Sequence, residues 1–123
     1  MLGIGIITFN RLAGLQACIA GIRQHTRGDY RLVVADDGST DGTLAWLAAQ
    51  GIPHITGKNH GVAWNRNRCL YWLSQRNGCG PLIVLDDDIV PSCDGWQAIW
   101  GNAAQHWGHV SFAFLDEGNV LSG

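Results

Sequence analysis

Lysine is almost absent from this chain: Lys58 is the only one, beside seven arginines. Charged residues make up 15% of the 123, and the formal net charge is −2. A chain of that balance has no basic face for a phosphate backbone, which argues against nucleic acid as a partner. Long apolar runs are missing too. None approaches the roughly 20 residues of a membrane-spanning helix. The apolar stretch 1–7 has no basic leader and no small-residue cleavage site. It reads as a first strand, and the expected compartment is the cytoplasm. The four cysteines, Cys18, Cys69, Cys79 and Cys93, form no C-x-x-C pair, so free thiols are expected. His106 and His109 stand one helical turn apart without a clear third ligand, which argues against a metal there. Hydrophobic residues reach 46%, enough for a real core in one domain spanning 1–123.

Apolar runs alternate with helical patterns. Residues 3–8 are unbroken and apolar, as a strand covered on both faces would be. Asn10 is placed to cap a helix in which Leu12, Leu15, Ile19 and Ile22 share one face. A second strand, 31–35, ends in Asp36-Asp37-Gly38-Ser39-Thr40-Asp41-Gly42. Leu44, Leu47 and Ala48 line the next helix, and 52–56 is a short strand. A helix over 62–75 with Leu70 and Leu73 inward follows the loop 57–61. Asn77-Gly78 turns the chain into the strand 82–85. Trp96, Ile99, Trp100, Ala103 and Trp107 form an apolar helical stripe, and 111–115 is expected to be a last strand. This order predicts an α/β fold: a mostly parallel sheet with helices on both faces, Rossmann-like. Polar residues follow three strands, at Thr8-Phe9-Asn10, Asp36-Asp37 and Asp86-Asp87-Asp88. Ligands of open α/β sheets bind outside the carboxyl ends of the strands, so these three groups are expected to meet at one rim.

The run Asp86-Asp87-Asp88 needs a reason. Along an extended chain Asp86 and Asp88 point one way and Asp87 the other. Two carboxylates about 7 Å apart repel by roughly 2–3 kcal/mol at an effective dielectric of 20. No lysine or arginine lies within nine positions on either side. Solvent, a distant arginine or a divalent cation would each relieve the repulsion. Mg²⁺ takes one or two protein carboxylates and completes its shell with water and phosphate oxygens, a job that suits Asp-x-Asp at a strand end. The loop 36–43 imitates the opening of a calcium-binding EF-hand. Its twelfth position is Ala48 rather than a bidentate glutamate, and a strand precedes it, so that reading fails. Capping by Ser39 or Asp41 explains part of this loop, but not the pair Asp36 and Asp37.

Four segments in order resemble one family. "IGIITFNR", "VVADDGSTDGT", "NHGVAWNRNRCL" and "LIVLDDDIVPSCDGW" are similar to successive motifs of the nucleotide-binding half of family 2 glycosyltransferases of the GT-A fold. Cys69 stands where that family usually has glycine. The resemblance implies a nucleotide-diphosphate sugar donor, often UDP-linked, with Mg²⁺ or Mn²⁺, and transfer that inverts the anomeric centre. It implies that Thr8, Phe9 and Asn10 frame the base, with Arg11 beside them. Asp37 would accept from the base next to Asp36, Asn59 and Gly61 would belong to the donor site, and Arg66 would lie toward the phosphates. Asp86 would lie by the ribose, Asp87 would belong to the donor site, and Asp88, with Asp86, would hold the metal.

The family's base motif lies further downstream in an acceptor half, which this chain is expected to lack. Asp116 and Glu117, the only acidic residues after Asp94, are the candidate catalytic base. An alternative is a non-catalytic module that binds nucleotide sugar and completes its site with a partner. If part of the tryptophan stripe is exposed, a homodimer is expected. A sugar-phosphate nucleotidyltransferase would open with a Gly-rich basic loop, and "TFNRLAG" is not one. A dinucleotide-binding oxidoreductase would need G-x-G-x-x-G after the first strand, and none is there.

Overall fold

A computed structural model describes residues 1–107, 113–116 and 119–122 of the chain. The elements are β1 (Leu2–Thr8), α1 (Leu12–His25), β2 (Tyr30–Asp36), α2 (Thr43–Gln50), β3 (His54–Thr56), α3 (Val62–Tyr71), β4 (Leu82–Asp86), α4 (Trp96–Trp107), β5 (Ala113–Asp116) and β6 (Asn119–Ser122). Strands β1 to β4 form one sheet in the order β3-β2-β1-β4, and every pairing is parallel. This is the expected α/β, Rossmann-like arrangement. The chain steps outward from β1 through β2 to β3, then crosses back to place β4 on the other side of β1. The sheet therefore has its switch point between β1 and β4, where ligands of such folds bind.

Alternation along the strands splits the core in two. Ile4, Ile6 and Val34 face α1, α2 and α4, packing on Leu15, Cys18, Ile19, Ile22, Leu47 and Trp96. Ile7, Val33 and Ala35 face α3, packing on Cys69 and on Leu73 just beyond it. Glycines in β1 serve this packing. A Cβ on Gly5 would lie 1.9 Å from the Cys69 sulfur, so the cysteine on α3 fills the space the glycine leaves. On the other face, a Cβ on Gly21 would lie 2.7 Å from the Pro91 carbonyl. That close approach lets the segment after β4 run directly over α1.

Several details differ from the sequence expectations. Asn10 does not cap α1. It has a positive φ of 50°, and its side chain reaches across to the loop after β2. The helix expected over 62–75 is α-helical only to Tyr71 and continues as a π-helical turn, Trp72–Arg76. Asn65, Cys69 and Leu73 are the buried residues of that stretch, while Leu70 is half-buried. Ala48 is exposed on α2. Ile99 is also exposed, so the apolar stripe of α4 narrows to buried Trp96 and half-buried Trp100 among the side chains described. The last expected strand is not a fifth member of the parallel sheet. β5 pairs antiparallel with β6 in a separate two-stranded sheet. No helix among the described residues is long and apolar enough to cross a membrane.

Candidate functional site

At the switch point the ends of β1, β2 and β4 and the start of α3 enclose a cavity of about 330 Å³. β1 and the residues after it contribute Ile7, Thr8, Phe9 and Arg11, the residue after β2 is Asp37, α3 contributes Val62, Asn65 and Arg66, and the end of β4 with the turn after it contributes Asp86, Asp87 and Asp88. The three polar strand ends thus meet at one rim. Of the residues expected in the site, Thr8, Phe9, Arg11, Asp37, Arg66 and the three aspartates line this cavity. Asn10, Asp36, Asn59 and Gly61 are not among its lining residues: Asp36 ends β2, and the other three lie in loops.

The aspartate triplet is relieved by distant arginines. Asp86 sits 3.7 Å from Arg66, both side chains about half exposed. Asp87 is buried, but β4 ends at Asp86 and the turn closed by the Ile89 amide on the Asp86 carbonyl, rather than strand alternation, turns it inward. Its Oδ2 accepts from the buried Thr8 hydroxyl at 2.9 Å, and its Oδ1 is 3.6 Å from Arg11. Asp88 is exposed and pairs with no side chain among the described residues. The same charges act on Cys18 of α1. Burial above all, then Asp87 and Asp88, push its thiol up to about 12. Nothing in the local sequence foretold either arginine, because both lie more than ten residues away.

The pair at the end of β2 is built into the fold. Asp36 is fully buried, and its Oδ2 accepts from the amides of Gly38 and Ser39 and from the Thr56 hydroxyl. It shapes the turn that follows it. Its other oxygen is buried without a partner among the described residues. Asp37 accepts from the amides of His60 and Gly61, each at 2.9 Å, and from Arg68 at 3.2 Å. Burial pushes the Asp37 carboxyl up. Those two amides and the guanidinium outweigh it and hold the carboxyl below the usual carboxylate range. Arg68 escaped the sequence reading, which took Arg66 from the same helix. Its only local signal is that it lies three residues beyond Asn65 on the inward side of α3.

Two further loops interlock beside the cavity. The amide of Asn10 donates to Ser39 Oγ, and the amide of Thr40 donates to Asn10 Oδ1. Asp41 accepts from the amide of Leu12, the first residue of α1, and from the amide of Thr43. The cap of α1 therefore comes from the loop after β2 rather than from Asn10. The Thr43 hydroxyl on Asp41, ahead of a smaller opposing effect of burial, holds the Asp41 carboxyl low.

A divalent cation needs hard oxygen ligands. Asp86 and Asp88 offer two exposed carboxylates on one wall, while Asp87 is taken up by Thr8. Among the described residues no group of three His, Cys, Asp or Glu side chains comes together. Two carboxylates with room for water and phosphate suit Mg²⁺ or Mn²⁺, whose shells are commonly completed that way. Asp116 is the last residue of β5, and Glu117 lies outside the described residues, as does His109.

No curated protein matches the chain. The family model described as glycosyl transferase family 2 matches residues 4–120, a span that takes in the parallel sheet from Ile4 of β1 onward and the whole rim. A match over nearly the full length, on a sheet whose switch point gathers the motif residues, shows that the chain belongs to glycosyl transferase family 2.

Proposed function

We propose that the rim cavity binds a nucleotide-diphosphate sugar, UDP-linked, for metal-assisted transfer to a hydroxyl acceptor with inversion at the anomeric carbon. Membership of the family supports glycosyl transfer itself. One observation carries the finer reading: β1, β2, α3 and β4 converge on a cavity whose wall holds four carboxylates and two half-exposed arginines. With Asp37 neutralised by Arg68, that wall carries one negative charge in excess. A diphosphate alone would be repelled there, and a divalent cation reverses the balance.

Each residue has a part. Phe9 and Asp37 face the base, and Thr8 fixes Asp87 so that the segment after β4 keeps its path. Arg11 and Arg66 are within reach of diphosphate oxygens, to which guanidinium groups donate in a fork. Asp88, with Asp86, would hold Mg²⁺ or Mn²⁺. Bound there, the cation would stabilise the charge that gathers on the departing nucleoside diphosphate. The acceptor hydroxyl needs a carboxylate base, for which Asp116 and Glu117 are the candidates late in the chain.

The test is calorimetric titration with UDP, in Mn²⁺ and again in chelator, followed by an assay of donor hydrolysis. Metal-dependent binding that Asp88→Ala abolishes is expected, together with slow release of UDP from a UDP-sugar. Binding without any turnover would favour a module that completes its site with a partner. Binding of equal strength in chelator would refute the role given to Asp88.

A further inference from the structure

We infer that Arg68 is a positioning residue that, acting through Asp37, sets which nucleobases the cavity accepts. It has this role only if the cavity is a nucleotide site, as proposed above. Arg68 is held by three parts of the fold. Its Nη2 donates to the Lys58 carbonyl at 2.7 Å. Its Nη1 lies within hydrogen-bonding reach of the Asp36 carbonyl at 3.2 Å, Asp37 Oδ1 at 3.2 Å and Asn65 Oδ1 at 3.3 Å. Its side chain is 13% exposed and that of Asp37 is 7% exposed. The guanidinium fits because position 57 is glycine. A Cβ there would lie 2.7 Å from Arg68 Nη2. One planar group therefore ties the end of β2, the loop 57–61 and α3 into a single wall.

The consequence falls on Asp37. Its Oδ1 accepts from the amide of His60 and from Arg68, which uses both lone pairs. Its Oδ2 accepts from the amide of Gly61 alone, which leaves one lone pair, and Asp37 lines the cavity. The carboxyl is held ionised and unable to rotate, so it is an acceptor only. Uracil presents a ring N–H that such an acceptor takes. Cytosine presents a ring nitrogen lone pair at the same place, and the two repel. A hydrogen bond to a charged group is worth about tenfold or more in affinity, which sets the expected preference for UDP over CDP. A shorter or neutral side chain at position 68 leaves Asp37 on two amides. The carboxylate can then turn, and the distinction between the two bases fades.

The experiment is titration of UDP and CDP, each with Mn²⁺, into the full chain and into Arg68→Gln, Arg68→Lys and Gly57→Ala. The expected result is a UDP:CDP affinity ratio of about ten or more for the native chain. The ratio should approach one in Arg68→Gln and take intermediate values in the other two, through weaker binding of UDP and tighter binding of CDP. Equal weakening of UDP and CDP by Arg68→Gln would show that Arg68 only supports the fold, and the inference would fall. If Arg68→Gln does not fold, an unchanged ratio in both Arg68→Lys and Gly57→Ala has the same force. A native chain that binds neither nucleotide would instead remove the nucleotide-site reading itself.

Discussion

Asp87 and Asp88 are chemically identical neighbours, and the structure predicts opposite consequences for their removal. Asp87 is buried, and it accepts from Thr8, itself only 3% exposed, at 2.9 Å. In Asp87→Ala the buried Thr8 hydroxyl loses its acceptor. A hydrogen bond to a charged group contributes about 1.5–3 kcal/mol. The Arg11 pair adds at most about 1 kcal/mol, because the arginine side chain is more than half exposed. Relief of the buried charge offsets part of this sum. We therefore expect Asp87→Ala to lower unfolding stability by about 1.5–3 kcal/mol, roughly 5–12 °C in Tm for a chain of this length. Asp88→Ala should stay within about 0.5 kcal/mol of the native chain, as surface changes do. Urea unfolding followed by tryptophan fluorescence measures both. Thr8→Val combined with Asp87→Ala should cost clearly less than the two single changes together, because they remove one shared bond. Equal midpoints for the two aspartate variants, or additive Thr8 and Asp87 effects, would refute the account of the triplet.

Gly5→Ala should cost about 1–3 kcal/mol or more through its clash with the Cys69 sulfur. Cys69→Gly should restore much of that loss, and failure of the rescue in denaturant titration would mean the clash is not the cause. Asp37 is held below the 3.8 of an unperturbed aspartate, so the folded chain binds fewer protons there than the unfolded chain does. Its contribution to stability is complete well above 3.8 and is lost as the pH falls through the depressed value. Asp94, held low first by His25 and then by Arg27, acts in the same direction. Melts recorded between about pH 5 and pH 2 should show Tm falling, and a flat profile would contradict the assignment. A thiol reagent should label exposed Cys93 well before Cys18 and Cys69, whose thiols are buried and pushed up to about 12. Mass spectrometry of the modified chain decides that order.

The parallel sheet and the rim were legible because β1, β2 and β4 carry apolar runs that end abruptly in polar residues. What the sequence concealed was contact between distant positions. Asn10 looks like a cap because Leu12 begins a helix two residues later, yet Asp41 reaches that helix first from a loop 29 positions on. Arg66 and Arg68 look alike in "NRNR". Only the helical phase relative to Cys69 turns Arg68 inward while Arg66 stays at the cavity. Ile99 fits the apolar spacing of α4, but the neighbouring elements leave it facing solvent. The pairing of β5 with β6 could not be told from a fifth parallel strand, since a short apolar run carries no sign of its direction.

The bond from Leu12 to Asp41 makes one amide proton an observer of the rim. That proton exchanges with solvent only when the loop after β2 lifts from the start of α1, because no residue of α1 itself accepts from it. In a hydrogen-exchange experiment its rate reports how often the Asp37 side of the cavity opens. A ligand that settles against Asp37 without touching Leu12 should slow that exchange, and one confined to Asp88 should leave it as it was.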